Sequence, residues 1–132
     1  MPIVNVKISQ PASAALTRAV SESLLEITTR VLRKKRELTA IAITCVPPEQ
    51  WVVGGETLEA QGKNSFYFDI KVVDGTNTKD EKAQYVAEAF AAFSKLLGNV
   101  HDESYIYVHD VRAEAYGFGG LTQEYRYIKA KA

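Results

Sequence analysis

Cysteine, tryptophan and methionine occur once each in this chain of 132 residues, and neither sign of charge is in excess. The lone thiol, Cys45, cannot close an internal disulfide, which points to a reducing compartment, the cytoplasm. Sixteen Lys and Arg balance sixteen Asp and Glu, so no basic field for nucleic acid is expected. No apolar run approaches the roughly 20 residues that cross a bilayer. The opening residues Met1-Pro2-Ile3-Val4-Asn5 carry no basic leader, and no membrane partner is expected. There is no phosphate-binding P-loop, no dinucleotide fingerprint and no Cys/His cluster spaced for a metal, so neither metal nor cofactor is expected. His101 and His109 are too few to make a site by themselves. Gly117-Phe118-Gly119-Gly120 has the look of a phosphate loop, but it follows a strand with no convincing helix pattern behind it.

What remains is the profile of one ordinary domain spanning residues 1–132, with 46% hydrophobic and 24% charged residues. Such a chain buries roughly two-thirds of the surface its unfolded form exposes, enough for a core without staples. Val4, Val6 and Ile8 alternate with Asn5 and Lys7, a period of two that predicts a strand. From about Ser13 to Arg36, Leu16, Val20, Leu24, Ile27 and Val31 recur in steps of three and four and predict a helix. The basic run Arg33-Lys34-Lys35-Arg36 then sits at that helix's end, where cations oppose the negative pole of the dipole. Thr39 to Val46 is β-branched and closes at Pro47-Pro48, a second strand.

The same order returns. Phe66 to Val73 reads as a strand, Thr78-Lys79-Asp80-Glu81 has capping-box spacing, and Val86, Phe90, Phe93 and Leu97 form a helical stripe that stops at Gly98-Asn99. Tyr105 to Val111 reads as a fourth strand. An offset of about 64 to 65 residues superposes the halves, giving two copies of one β-α-β motif, about 2–55 and about 66–120, with a tail over 121–132. Trp51-Val52-Val53-Gly54-Gly55 rhymes with Tyr116-Gly117-Phe118-Gly119-Gly120; each ring either covers something or plugs its own hairpin. The expected fold class is α+β, an α/β sandwich in which right-handed crossovers place both helices on one face of a four-stranded mixed sheet. Tyr67, Tyr105 and Tyr107 oppose the Phe66, Phe68, Ile106 and Val108 side, so the other face is too apolar to leave in water. Self-association in a closed ring would cover it.

The chemistry narrows to the N-terminus. Removal of Met1 would leave Pro2 with a free secondary amine, somewhat more basic than an ordinary α-amino group at about 7.7–8.0. An apolar pocket or an adjacent cation disfavours its charged form, leaving a neutral general base near pH 7.

With the doubled layout behind it, the chain resembles the tautomerase superfamily. Its simplest members, the 4-oxalocrotonate tautomerases, are single β-α-β units that begin with a catalytic proline. The two-unit length is similar to the branch holding macrophage migration inhibitory factor and the fused tautomerases. The resemblance runs from Pro2-Ile3-Val4-Asn5 through Val46-Pro47 and Gly54-Gly55 to the aromatic-Gly-x-Gly-Gly hook at Tyr116. It implies a homotrimer with active sites between subunits, no cofactor, and keto–enol proton transfer on a small-molecule 2-oxo acid such as a 2-hydroxy-alkenoate or aryl pyruvate. It implies Pro2 as base and Tyr105 as a tyrosine reaching a neighbour's proline, against the alternative of a core or interface ring. Ile70 would line the pocket with its backbone, Tyr116 matches the hook aromatic, and Arg36 falls near the branch's pocket lysine. The arginines that hold dicarboxylate substrates are missing, with Thr76-Asn77, Tyr105 and Ala40 in their places, and so is the haloacrylate pair before the second helix, where Val73-Asp74-Gly75-Thr76 stands. Arg112 and Arg126 are the candidates to replace them through paired hydrogen bonds, against the alternative of surface or interface ion pairs. Hydration, dehalogenation or decarboxylation by the same amine, and a trimeric module that binds without turnover, are the alternative functions.

Overall fold

A computed structural model describes residues 2–131; Met1, whose removal the sequence reading requires, and Ala132 lie outside the described residues. Strand β1, Ile3–Ile8, keeps its predicted alternation, with Val4, Val6 and Ile8 buried and Ile3, Asn5 and Lys7 turned outward. Helix α1, Ala14–Val31, starts on Ser13, whose side chain accepts from the Leu16 N–H, and buries Val20, Leu24, Ile27, Thr28 and Val31. It stops short of the predicted end. The N–H groups of Leu32 and Lys34 both reach the Thr28 carbonyl, and Arg33 reverses the chain at φ +57°. The basic run therefore lies beyond the helix and forms the connector to β2; only Arg30 occupies the last turn.

Strand β2, Ala40–Cys45, runs parallel to β1 in register from Ile3↔Ala40 to Ile8↔Cys45. A short hairpin, β3 (Val52–Val53) and β4 (Glu56–Thr57), leads into the one-turn helix α2, Leu58–Gln61. Strand β5, Phe66–Val73, pairs antiparallel with β1 and carries the second unit. Helix α3, Lys79–Leu97, opens with the predicted capping box between Thr78 and Glu81. Strand β6, Tyr105–Val111, is parallel to β5. A second hairpin, β7 (Gly117–Phe118) and β8 (Leu121–Thr122), precedes helix α4, Gln123–Lys131. That helix corrects the expectation that nothing helical follows the glycine loop. Thr122 caps it by accepting from the Tyr125 N–H, but none of its residues is buried, so it shows no apolar stripe to read.

The four long strands form one mixed sheet in the order β2-β1-β5-β6. The inward residues of β1 and β5 share a single core with α1 and α3. Phe66 stacks on Phe93 at 4.4 Å between ring centroids, and burying each such ring contributes about 1.5–3 kcal/mol. A polar crossing between the helices in that core is the Thr28 and Tyr85 hydroxyl pair at 2.9 Å, where burial pushes the Tyr85 phenol up to about 12. The opposite face carries Tyr67, Tyr105 and Tyr107, the last two 45% and 52% exposed.

Candidate active site

Pro2 is buried at the head of a central strand, and its carbonyl accepts from the Ala40 N–H at 3.1 Å. Continuing the alternation of Val4, Val6 and Ile8 back one step puts its ring on the apolar, helix-covered side of the sheet. The register sets its neighbours. Ile3 faces Lys71, and Lys71 faces His109, so Pro2 stands at the end where β5 finishes, β6 finishes and α3 begins.

A polar cluster gathers there. Lys34 Nζ donates to Thr76 Oγ1 at 2.9 Å, Asn77 donates to the Leu32 carbonyl, Arg33 pairs with Glu81 at 2.7 Å and Lys82 with Asp110 at 2.5 Å. Desolvation holds the Lys34 ammonium below its ordinary range, although Glu81 and Asp110 oppose the effect. Glu81 is held low, first by the Thr78 backbone N–H of the capping box. Asn77 Oδ1 and Asp110 Oδ1 are buried without a partner, which marks the cluster as more than a closed structural network. Sequence reasoning missed Lys34. Read as the end of a helix, the basic run offers four equivalent exposed cations; only the left-handed turn at Arg33 separates Lys34 from the others.

Tyr116 sits against the same end. Its phenol donates to the Lys71 carbonyl at 3.2 Å and has a backbone hydrogen bond with Ile3, the residue after Pro2. Burial raises its pKa, with the Ile3 contact opposing, so the phenol stays protonated at neutral pH. Ile70 lies opposite Val4 and Val108, and the whole residue, main chain included, is buried within the chain.

Tyr105 lies elsewhere. It is level with Tyr67 and, through it, with Lys7, at the far end of the sheet from Pro2. Five residues of strand separate the two positions, about 16 Å at 3.3 Å per residue. Its phenol hydrogen-bonds the Glu103 carboxylate, which is the main reason its pKa is raised. One chain does not bring Pro2 and Tyr105 together; a site containing both needs two copies.

The three arginines are engaged locally. Arg36 pairs with Glu22 at 2.9 Å and Arg112 with Glu114 at 3.2 Å, both on exposed surface. Arg126 donates to the Phe118 carbonyl at 2.8 Å and lies over the Phe118 ring. Just before the first residue of β5 stands Ser65. Its N–H donates to Ser9 Oγ, and its hydroxyl meets Ser104 Oγ at 2.9 Å and the Glu103 carbonyl at 3.0 Å. An offset of 64 residues sets Pro2 against Phe66, whose nitrogen is an ordinary peptide amide.

No family model and no curated protein matches the chain. Solved structures do. Pt0534 inactivated by 2-oxo-3-pentynoate superposes with a TM-score of 0.82 at 13% identity, covering 94% of this chain and 98% of that one. A fused 4-OT wild-type symmetric trimer gives 0.78 at 18% identity, covering 92% and 96%. A macrophage migration inhibitory factor homologue from Prochlorococcus marinus gives 0.74 at 22% identity, covering 91% and 97%. At these identities the likeness concerns architecture: the chain has the fold of the fused 4-OT and migration-inhibitory-factor structures, as the sequence resemblance implies.

Proposed function

We propose that this chain, built on the fold of the tautomerase superfamily, is a cofactor-independent tautomerase that interconverts the enol and keto forms of a 2-oxo acid. Pro2 is the general base. Its neutral amine takes the enol O–H proton, and the resulting ammonium returns that proton to the carbon terminus as the carbonyl forms. The observation that carries the reading is the burial of Pro2 on the apolar side of the sheet, at the end where Lys34 is partly desolvated. An apolar site and a nearby cation both lower the pKa of an amine, about 1.36 kcal/mol per unit. Lys34 adds a second function: a point charge for the substrate carboxylate or the developing enolate oxygen. Tyr116 holds the strand start in position through Ile3. The assembly we propose is a homotrimer in which Tyr105 of one copy meets Pro2 of the next; the trimeric state of a fused 4-OT with this fold supports the subunit count. The tyrosine-rich outer face supplies apolar surface for that contact. The lone cysteine and the small-molecule substrate suit a cytoplasmic enzyme.

The test has two steps. Intact mass must show loss of Met1, since a retained methionine turns the Pro2 nitrogen into an amide. Pro2→Ala should then lower ketonisation of phenylpyruvate enol by roughly 10²–10⁴-fold, the usual contribution of a placed general base. Unchanged turnover refutes the assignment.

A further inference from the structure

The duplicated halves place a second cleft where the first hairpin folds over the sheet. Tyr116, after β6, stands against Lys71 and Ile3. An offset of 64 residues turns Lys71 into Lys7 and Ile3 into Tyr67, and both line a groove of about 490 Å³ with Trp51, the aromatic that rhymes with Tyr116. Past Trp51 the groove adjoins a cleft of about 650 Å³, walled by Trp51, Glu56, Gln61, His101, Glu103 and Tyr105. Lys7 lines only the adjoining groove, together with Asp69; among the described residues no lysine or arginine lines the cleft or pairs with Glu56 or Glu103. The walls are held in place by the chain itself. The Leu58 N–H donates to the Trp51 carbonyl at 2.8 Å, and Gln61 Nε2 donates to the Val53 and Glu56 carbonyls at 2.9 and 3.1 Å, which spends its amide hydrogens and leaves Oε1 to accept. Glu103 is fixed on two sides, its N–H donating to His101 Nδ1 at 3.0 Å and its carboxylate accepting from the Tyr105 phenol.

We propose that this cleft is a binding site for a guanidinium group, which lies flat on Trp51 and donates to the carboxylates of Glu56 and Glu103 and to Gln61 Oε1. The site lies within one chain and does not depend on the chemistry of Pro2. The cleft is concave, has one broad aromatic wall and a few convergent acceptors, and holds no cation of its own. A positive ligand is therefore its electrostatic complement. A metal ion is not, since among the described residues no three of His, Cys, Asp and Glu gather to hold one. Between the organic cations, an ammonium is a compact and strongly hydrated point charge. A guanidinium is planar and weakly hydrated, stacks on an indole, and spreads five N–H donors in its plane, which suits acceptors set on different sides of one aromatic wall. A carboxylate accepts through both oxygens, so the Tyr105 contact leaves Glu103 capacity for the ligand. Tyr105, which the proposed trimer turns toward a neighbour, serves here only to hold Glu103.

The chain has one tryptophan, so the wall carries its own reporter. The intact protein is titrated with butylguanidinium, butylammonium and butylurea while Trp51 fluorescence is recorded. Butylguanidinium should saturate the signal at a concentration roughly tenfold or more below butylammonium, which has the charge without the plane. Butylurea, which has the plane without the charge, should be weaker still. Glu56→Gln and Glu103→Gln should each raise the half-saturating concentration of butylguanidinium roughly fivefold or more, since each replaces a charge-assisted hydrogen bond by a neutral one. Glutamine at position 103 keeps an acceptor for the Tyr105 phenol, and circular dichroism checks that both variants fold. N-acetyl-arginine methylamide forms a second arm: tighter binding than butylguanidinium assigns the site to an arginine carried on a peptide, and weaker binding to a free small guanidinium compound. No fluorescence response to butylguanidinium, equal binding of butylammonium or butylurea, or an unchanged affinity in either variant overturns the proposal.

Discussion

The Tyr116 phenol donates to the Lys71 carbonyl at 3.2 Å and shares a hydrogen bond with the backbone of Ile3, so the loop after β6 is tied to the residue that follows Pro2. Both contacts join main chain from the two central strands, β1 and β5. The loop therefore sets the height at which the strand releases Pro2.

Tyr116→Phe keeps the ring and removes the bridge. The expected cost is about 1 kcal/mol in urea unfolding, the usual net worth of one such hydrogen bond. Because misplacement of a base is costlier than loss of a contact, kcat should fall roughly tenfold with KM nearly unchanged. A variant that loses stability but retains full kcat shows that the bridge serves folding alone.

Lys34 makes the opposite prediction, since its ammonium is partly desolvated and, among the described residues, donates to the Thr76 hydroxyl rather than to a carboxylate. Lys34→Met should hold or raise thermal stability at pH 7 while lowering kcat/KM roughly tenfold to a hundredfold. The pH dependence has a definite sign. With the folded pKa below 10.5, the unfolded chain binds more protons between the two values, so the wild type gains stability as pH rises through that window. Lys34→Met should lack this gain in thermal melts taken from pH 7 to pH 10.5.

Glu88 supplies an acid-side test remote from the site. Arg30 on α1 meets it at 2.5 Å and Gln84 adds a second hydrogen bond, which together lower the Glu88 carboxyl from 4.5 to about 2. The contribution is present above pH 4.5 and is lost as pH falls toward 2. Melts of wild type and Glu88→Gln should differ at pH 6 and converge near pH 2. A gap that persists at pH 2 excludes the ion pair as its source.

Much of this architecture is legible in one dimension because burial is one-sided. Val4, Val6 and Ile8 advertise a strand, and Thr78 with Glu81 advertises a helix start, through contacts made within a few residues. Pro2 carries the proposed chemistry because an imino nitrogen can be free only at the start of a chain. Lys34 is not legible in that way. Its inward turn depends on Arg33 adopting a left-handed backbone, and arginine carries none of the signal that glycine or asparagine gives for that conformation. Tyr116 falls between: its rhyme with Trp51 is visible, but its arrival at Ile3 depends on β1 pairing with β5, more than sixty residues apart. The far location of Tyr105 follows from that same antiparallel junction, which reverses one unit against the other.

The knot of Ser9, Ser65 and Ser104 hydroxyls has a consequence for how the gene can vary. On the proposed function, the start of the first strand answers to chemistry, whereas the knot beside the start of β5 answers to cohesion. Small residues that keep the knot's bonding should be interchangeable there, while the proposed base at position 2 should accept proline alone. A saturation library scored for enol ketonisation at position 2 and for solubility at the knot would separate the two.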